Sequence, residues 1–146
     1  MKRMIRRNAA FTLIELLMVM VVLAVIAAIV IPKFADRHEQ SKEASLKSDL
    51  NLIRNAVASF QADTGYYPKA FATDLTTSTA PANGLNSSGT STAITATDFH
   101  GPYLTSLPND PVSGSAFTYS TTSGSVGQVT SSASGNDLAG TAFSTY

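Results

Sequence analysis

Phe11 and Glu15 stand four residues apart, and their types allow one piece of chemistry: a proteolytic cut followed by charge pairing. Glu15 is the single charged residue between Phe11 and Ile31. A carboxylate deep in a membrane helix costs ~2.5–3.5 kcal/mol on insertion scales, so it calls for a partner. Hydrolysis of the Ala10–Phe11 bond would create a positive α-amino group one helical turn before Glu15, on the same face. A carboxylate in the first turn also offsets the helix dipole. The pair can close within one chain. Alternatively, Glu15 can reach the N-terminus of a neighbouring copy and set the register of stacked identical helices, as a buried polar residue does in a coiled coil.

Other reactive groupings are sparse. His38 and His100 are the only histidines and lie far apart in the chain. No metal-ligand spacing, nucleophile motif or phosphate-binding glycine loop occurs, and the expectation is a protein that is not an enzyme. The chain has no cysteine, so packing, a metal or assembly must hold it together. Ten basic residues balance ten acidic ones, but Lys2, Arg3, Arg6 and Arg7 crowd the start. Without residues 1–10, six basic residues face ten acidic. That balance offers no patch for nucleic acid.

The elements that must position Glu15 are legible. MKRMIRRN is a positive flank, and Phe11 to Ile31 is an apolar run long enough, at ~31 Å as a helix, to cross one hydrocarbon thickness. The flank predicts a cytoplasmic N-terminus with the C-terminal part outside. Pro32, lacking an N–H, should kink or locally melt the helix around Ala28. Beyond it, Leu46, Leu50, Ile53, Val57 and Phe60 form one apolar stripe at spacings of 4, 3, 4 and 3. Its expected partner is a C-terminal sheet. Glu39–Lys42 and Glu43–Lys47 suit helix ion pairs. Lys42, Asp49 and Arg54 mark a polar, solvated face. Asp63-Thr64-Gly65 and Pro68 give the stop.

The rest, from about Asp36, suffices for one small domain. Residues 76–98, low in charge and large apolars, read as a variable exposed loop. Asn86-Ser87-Ser88 matches a glycosylation sequon, a tripeptide common by chance. Gly101 to Gly114, with three prolines and two glycines, imposes a fixed non-helical path anchored by Tyr103, Leu104 and Leu107. Ala116 to Thr122 and Val126 to Ser132 have strand character, and Leu138 to Phe143 is a possible third strand. The fold class expected is α+β: a long N-terminal helix packed on a small antiparallel sheet with long loops.

RRNAA-FTLIELLMVMVVLAVIAAIVIPKF resembles the N-terminus of type IV pilins and of the pseudopilins of type II secretion. The resemblance is strong over residues 6–68 and modest over 99–119, where GPYLTSLPNDPVSG is similar to the major pseudopilin. It implies a leader at 1–10, cut between Ala10 and Phe11 by a membrane prepilin peptidase, with N-methylation of Phe11. It further implies Glu15 as the assembly carboxylate and Pro32 as the helix kink. The implied domains are a transmembrane and assembly helix at 11–31, an amphipathic half-helix at 32–64, and a loop-rich part at 65–146. The implied partners are like subunits in a filament, an inner-membrane assembly platform and the lipid bilayer, in a bacterial inner membrane with a periplasmic or extracellular domain. Two departures stand out: Ala10 replaces the usual Gly before the cut, and Val112 the Trp that often follows the DP pair.

Major pseudopilins also bind a structural calcium near the C-terminus through clustered acidic residues and carbonyls. After Asp110 this chain offers only Asp137, so the expectation is no cofactor, with Asp137 as the one weak metal candidate. The disulfide-closed C-terminal loop of many type IV pilins cannot form. Three readings therefore stand: a pseudopilin or pilin subunit, an uncut bitopic anchor carrying a small binding or adhesion domain, and a secreted domain cut after Ala27 or Ala28. A competence pilus gripping DNA stays open as a filament role, although the acidic mature chain offers no phosphate-binding patch.

Overall fold

The computed structural model describes residues 11–146, and within the long helix leaves the side chains of residues 32–36 undescribed. Helix α1 runs from Leu13 to Thr64. The chain packs as two units, Met1–His38 and Glu39–Tyr146. Of the kink or local melting expected around Ala28, the melting is not seen: helix is unbroken through Ala28 and Pro32. In the first unit the apolar residues from Phe11 to Ile31 are all exposed.

In the second unit the stripe read from the sequence becomes the core. Leu46, Leu50, Ile53, Val57 and Phe60 are buried and pack with Leu75, Leu104, Phe117, Val129, Ala133 and Phe143. Gly65 ends α1 in the left-handed conformation at φ 77°. Its N–H donates to Gln61 O at 2.8 Å, satisfying one of the helix's last free carbonyls.

After α1 come β1 (Tyr67–Pro68), a short helix α2 (Phe71–Thr76), β2 (Asn83–Leu85) and β3 (Ser91–Ala93). β1, β2 and β3 form an antiparallel sheet in that order, with Tyr67 opposite Leu85 and Gly84 opposite Thr92. The stretch 76–98, expected as an exposed loop, is mostly exposed but carries a structured hairpin at 83–93 that was not expected. Its signal is weak because backbone pairing of small residues builds it, and Leu85 is its one large buried side chain. The turn is set by Asn86, whose Oδ1 accepts from Ser88 N at 3.0 Å and Thr90 N at 2.9 Å.

β4 (Thr118–Tyr119) and β5 (Val129–Thr130) form a second antiparallel pair, shorter than the two segments that read as strands. Leu138 to Phe143 is not a strand. Only an isolated bridge joins Asn136 to Ala142, followed by a 3-10 turn at Phe143–Thr145. Gly-Ser-rich connections supply too few alternating apolar residues to extend either pairing.

Aromatic contacts tie the pieces together. Phe71 of α2 stacks on Tyr119 of β4 with centroids 4.4 Å apart, and the Tyr119 hydroxyl donates to Pro68 O at 2.8 Å. Tyr67 lies against Gly127, where a Cβ would sit 2.3 Å from the ring and φ is +85°. Both conditions demand glycine there.

Asp110 pins the proline-rich path. It is fully buried. One carboxylate oxygen accepts from Val112 N at 2.8 Å and Ser113 N at 3.2 Å. The other accepts from the Ser131 hydroxyl at 2.5 Å and Ser132 N at 3.0 Å. Burial pushes the carboxyl up, but these four donors together outweigh it and hold Asp110 below the usual range.

Candidate functional site

The opening of α1 is built by a reciprocal cap. Thr12 precedes the first helical residue, and its hydroxyl accepts from Glu15 N at 3.3 Å. Glu15 reaches back, its Oε2 accepting from Thr12 N at 2.8 Å and from the Thr12 hydroxyl at 2.7 Å. This is a capping box, in which two otherwise unpaired helix-end groups satisfy each other. The partner expected for Glu15 was the amine made by a cut, and this local one was not expected. Thr12 is a partner three residues away, present with or without a new amine.

From Leu13 to Ile31 the helix is long and apolar enough to cross a membrane, and none of that span is buried within the protein. Phe11 and Leu13 are 81% exposed, and Ile31 67%. So large an apolar surface must be covered by lipid or by other protein. Of the residues singled out in the sequence, Glu15 lies in the first turn of the helix and Phe11 two residues before its start. Ala10 lies outside the described residues. Pro32 lies within the helical span, with its side chain outside those described.

The polar residues of the second unit serve structure. The Tyr103 hydroxyl donates to Asp63 at 2.7 Å, and burial together with that carboxylate pushes the Tyr103 phenol up to about 12. His100 is exposed, with Nδ1 3.0 Å from Asp98 O and 3.6 Å from the Asp63 carboxylate. His38 is exposed on α1. Among the described residues no group of three or more His, Cys, Asp or Glu gathers as a metal site.

The polar face of the stem differs from expectation in two places. Glu39 and Lys42 pair at 3.6 Å as read. Glu43, however, accepts from Leu138 N at 2.7 Å. Arg54 is not simply solvated: its Nε and Nη2 donate to Val129 O at 3.2 and 2.7 Å. No local pattern in the sequence marks either long-range partner.

Comparison with known proteins fits this geometry. Residues 5–31 match the prokaryotic N-terminal methylation motif, a window that includes Ala10, Phe11, Thr12 and Glu15. Residues 33–142 match the model for type II secretion system protein G. The chain belongs to the type II secretion system protein G family. Among similar proteins, type II secretion system core protein G of Pseudomonas aeruginosa is 36% identical over 63 residues, 43% of this chain and 44% of that one. The Aeromonas hydrophila protein of the same name is 27% identical over 106 residues, 73% and 68% of the two chains. A type IV major pilin protein of Myxococcus xanthus is 38% identical over 61 residues, covering 42% of this chain and 28% of the pilin. Most of these matches span under half the length of the relative, whereas the Aeromonas match spans about two thirds. No solved structure matches the chain. The protein G family is one of structural pseudopilin subunits.

Proposed function

We propose that this pseudopilin is a filament subunit of a type II secretion machine, cut between Ala10 and Phe11, methylated on Phe11, and polymerised through its N-terminal helix. The observation that carries the reading is the fully exposed apolar helix Leu13–Ile31, charged only at its first turn. A helix of 19 residues spans ~28 Å, so before assembly lipid covers it, and in a filament like helices do. Glu15 sets the register. Its carboxylate is already held by Thr12, and the amine made by the cut adds a cation one turn away.

In this reading residues 1–10 are the leader, 11–31 the transmembrane and assembly helix, 32–64 its amphipathic continuation kinked at Pro32, and 65–146 the exported part. The subunit sits in a bacterial inner membrane with a cytoplasmic N-terminus and a periplasmic domain. A prepilin peptidase, an inner-membrane platform and like subunits are its partners. Membership in the protein G family supports the pseudopilus over a surface pilus.

The test is intact mass and N-terminal sequencing of the membrane-extracted protein. A methylated Phe11 start is the expected result and also shows that Ala10 is accepted before the cut. An intact Met1 start refutes processing and leaves a bitopic anchor. A start after about Ala28 makes it a secreted domain.

A further inference from the structure

The segment 136–146 lies where the family resemblance puts a calcium ion, and its polar atoms are otherwise engaged. One Asp137 carboxylate oxygen accepts from Ala139 N at 2.9 Å and Thr141 N at 2.7 Å, and the other accepts from the Tyr146 hydroxyl. A carboxylate oxygen has two lone pairs, so the first oxygen has no capacity left for a metal. A cation at the second would have to displace the tyrosine proton. Calcium takes six to eight oxygens, with several carboxylates preferred. The other carboxylates of the unit that could contribute are committed: Asp110 is fully buried among four donors, and Glu43 accepts from Leu138 N. The residues present do not fit the ion.

They do fit a fastening to the stem. Glu43, Lys47 and Arg54 recur at spacings of 4 and 7, on one face of α1 beside the apolar stripe. Glu43 takes the Leu138 amide. The Lys47 ammonium stands 4.9 Å from the centre of the Tyr146 ring, a cation–π contact. Arg54 binds Val129 O and the Tyr146 main-chain oxygen. Phe143, between these contacts, is buried in the core. The Tyr146 hydroxyl, followed by the Thr141 amide, holds the Asp137 carboxyl below its ordinary range, the direction a closed carboxylate shows.

We propose that segment 136–146 is closed by a metal-free clasp, made by Asp137 and Tyr146 with the stem residues Glu43, Lys47 and Arg54, and that this domain takes no structural calcium. The clasp replaces an ion's convergent oxygens with contacts contributed by the stem helix itself. The inference concerns the folded domain and does not depend on cleavage or polymerisation.

Hydrogen exchange of the full chain in detergent micelles, in millimolar calcium and in EGTA, tests it. The Leu138, Ala139 and Thr141 amides are expected to exchange equally in both. Tyr146→Phe should speed Ala139 and Thr141 about tenfold, the loss of one charge-assisted hydrogen bond, while the Leu50 and Ile53 amides keep their protection. Calcium-dependent slowing of those amides in the wild type overturns the proposal. So does a Tyr146→Phe protein that exchanges like the wild type. Should Tyr146→Phe loosen the whole domain, Glu43→Gln decides: a faster Leu138 amide alone supports the clasp, and an unchanged one overturns it.

Discussion

Replacing Asp110 with Asn is the sharpest probe of the C-terminal fold. The buried carboxylate accepts four hydrogen bonds, three from main-chain N–H groups and one from Ser131. Asn keeps one acceptor oxygen, so the amide nitrogen must face either the Val112 and Ser113 amides or the Ser132 amide. The second choice strands fewer donors, because Ser131 can rotate to accept while only the Ser132 N–H is left unpaired. Losing that bond and the charge on the other two should cost about 2–4 kcal/mol. Asp110→Ala, which strands all four donors, should cost about 4–6 kcal/mol, a large share of the ~5–15 kcal/mol that holds a domain. The pH dependence has a definite sign. The folded pKa lies below the ordinary value of 3.8, so the stabilisation is complete well above that pH and drains away as pH falls below it. Urea unfolding of a soluble fragment starting at Glu39 should show the Asn variant less stable at neutral pH, with the gap to wild type closing below about pH 4. An Asn variant within ~0.5 kcal/mol of wild type, or a gap independent of pH, refutes this account.

Three further perturbations have defined outcomes. Glu15→Gln keeps an acceptor for Thr12 but removes the charge, whereas Glu15→Val removes both. Both should insert in the membrane, and shearing should recover filaments from neither if charge sets the register; normal filaments from Glu15→Gln would reduce Glu15 to a helix cap. Gly127→Ala forces a Cβ against the Tyr67 ring at a φ of +85° and should cost about 2–3 kcal/mol, read as a lower unfolding midpoint. Phe60→Ala, in the centre of the core, should cost about 3–5 kcal/mol by the same assay.

What could be read from the sequence follows from how many residues share each signal. The stripe Leu46 to Phe60 is repeated five times at helical spacing, and it is the core. Asp63-Thr64-Gly65 stops α1 where the stop was expected, and Gly65 there is left-handed. The hairpin at 83–93 escaped because its pairing rests on Asn, Gly, Ser and Thr, whose strand signal is poor. The Asn86 turn and the need for glycine at 84, where a Cβ would meet Tyr66 at 2.7 Å, were the available clues. At the candidate site, Thr12-x-x-Glu15 is a capping-box signature in plain view. The hydrophobic run around it masks that signature, because the cost of a charge in hydrocarbon outweighs the cap's own small signal. The partners of Glu43 and Arg54 lie 95 and 75 residues away, and no local pattern encodes them.

These observations divide the labour along α1. Its first part exposes apolar side chains that only lipid or other subunits can cover, and Glu15 there is satisfied by a short local cap. A cap made through one threonine hydroxyl and one amide is worth about 0.5–2 kcal/mol, small beside the cost of placing a bare carboxylate in hydrocarbon. Thr12 alone can therefore hold Glu15 near a polar boundary but cannot carry it into an apolar interior. A full countercharge can, and the amine released at Phe11 is the group that the chain itself would supply. In the proposed reading the order of events follows from energetics: the cut within the motif-matched stretch 5–31 would have to come first, and entry of Glu15 into a helix bundle would follow it.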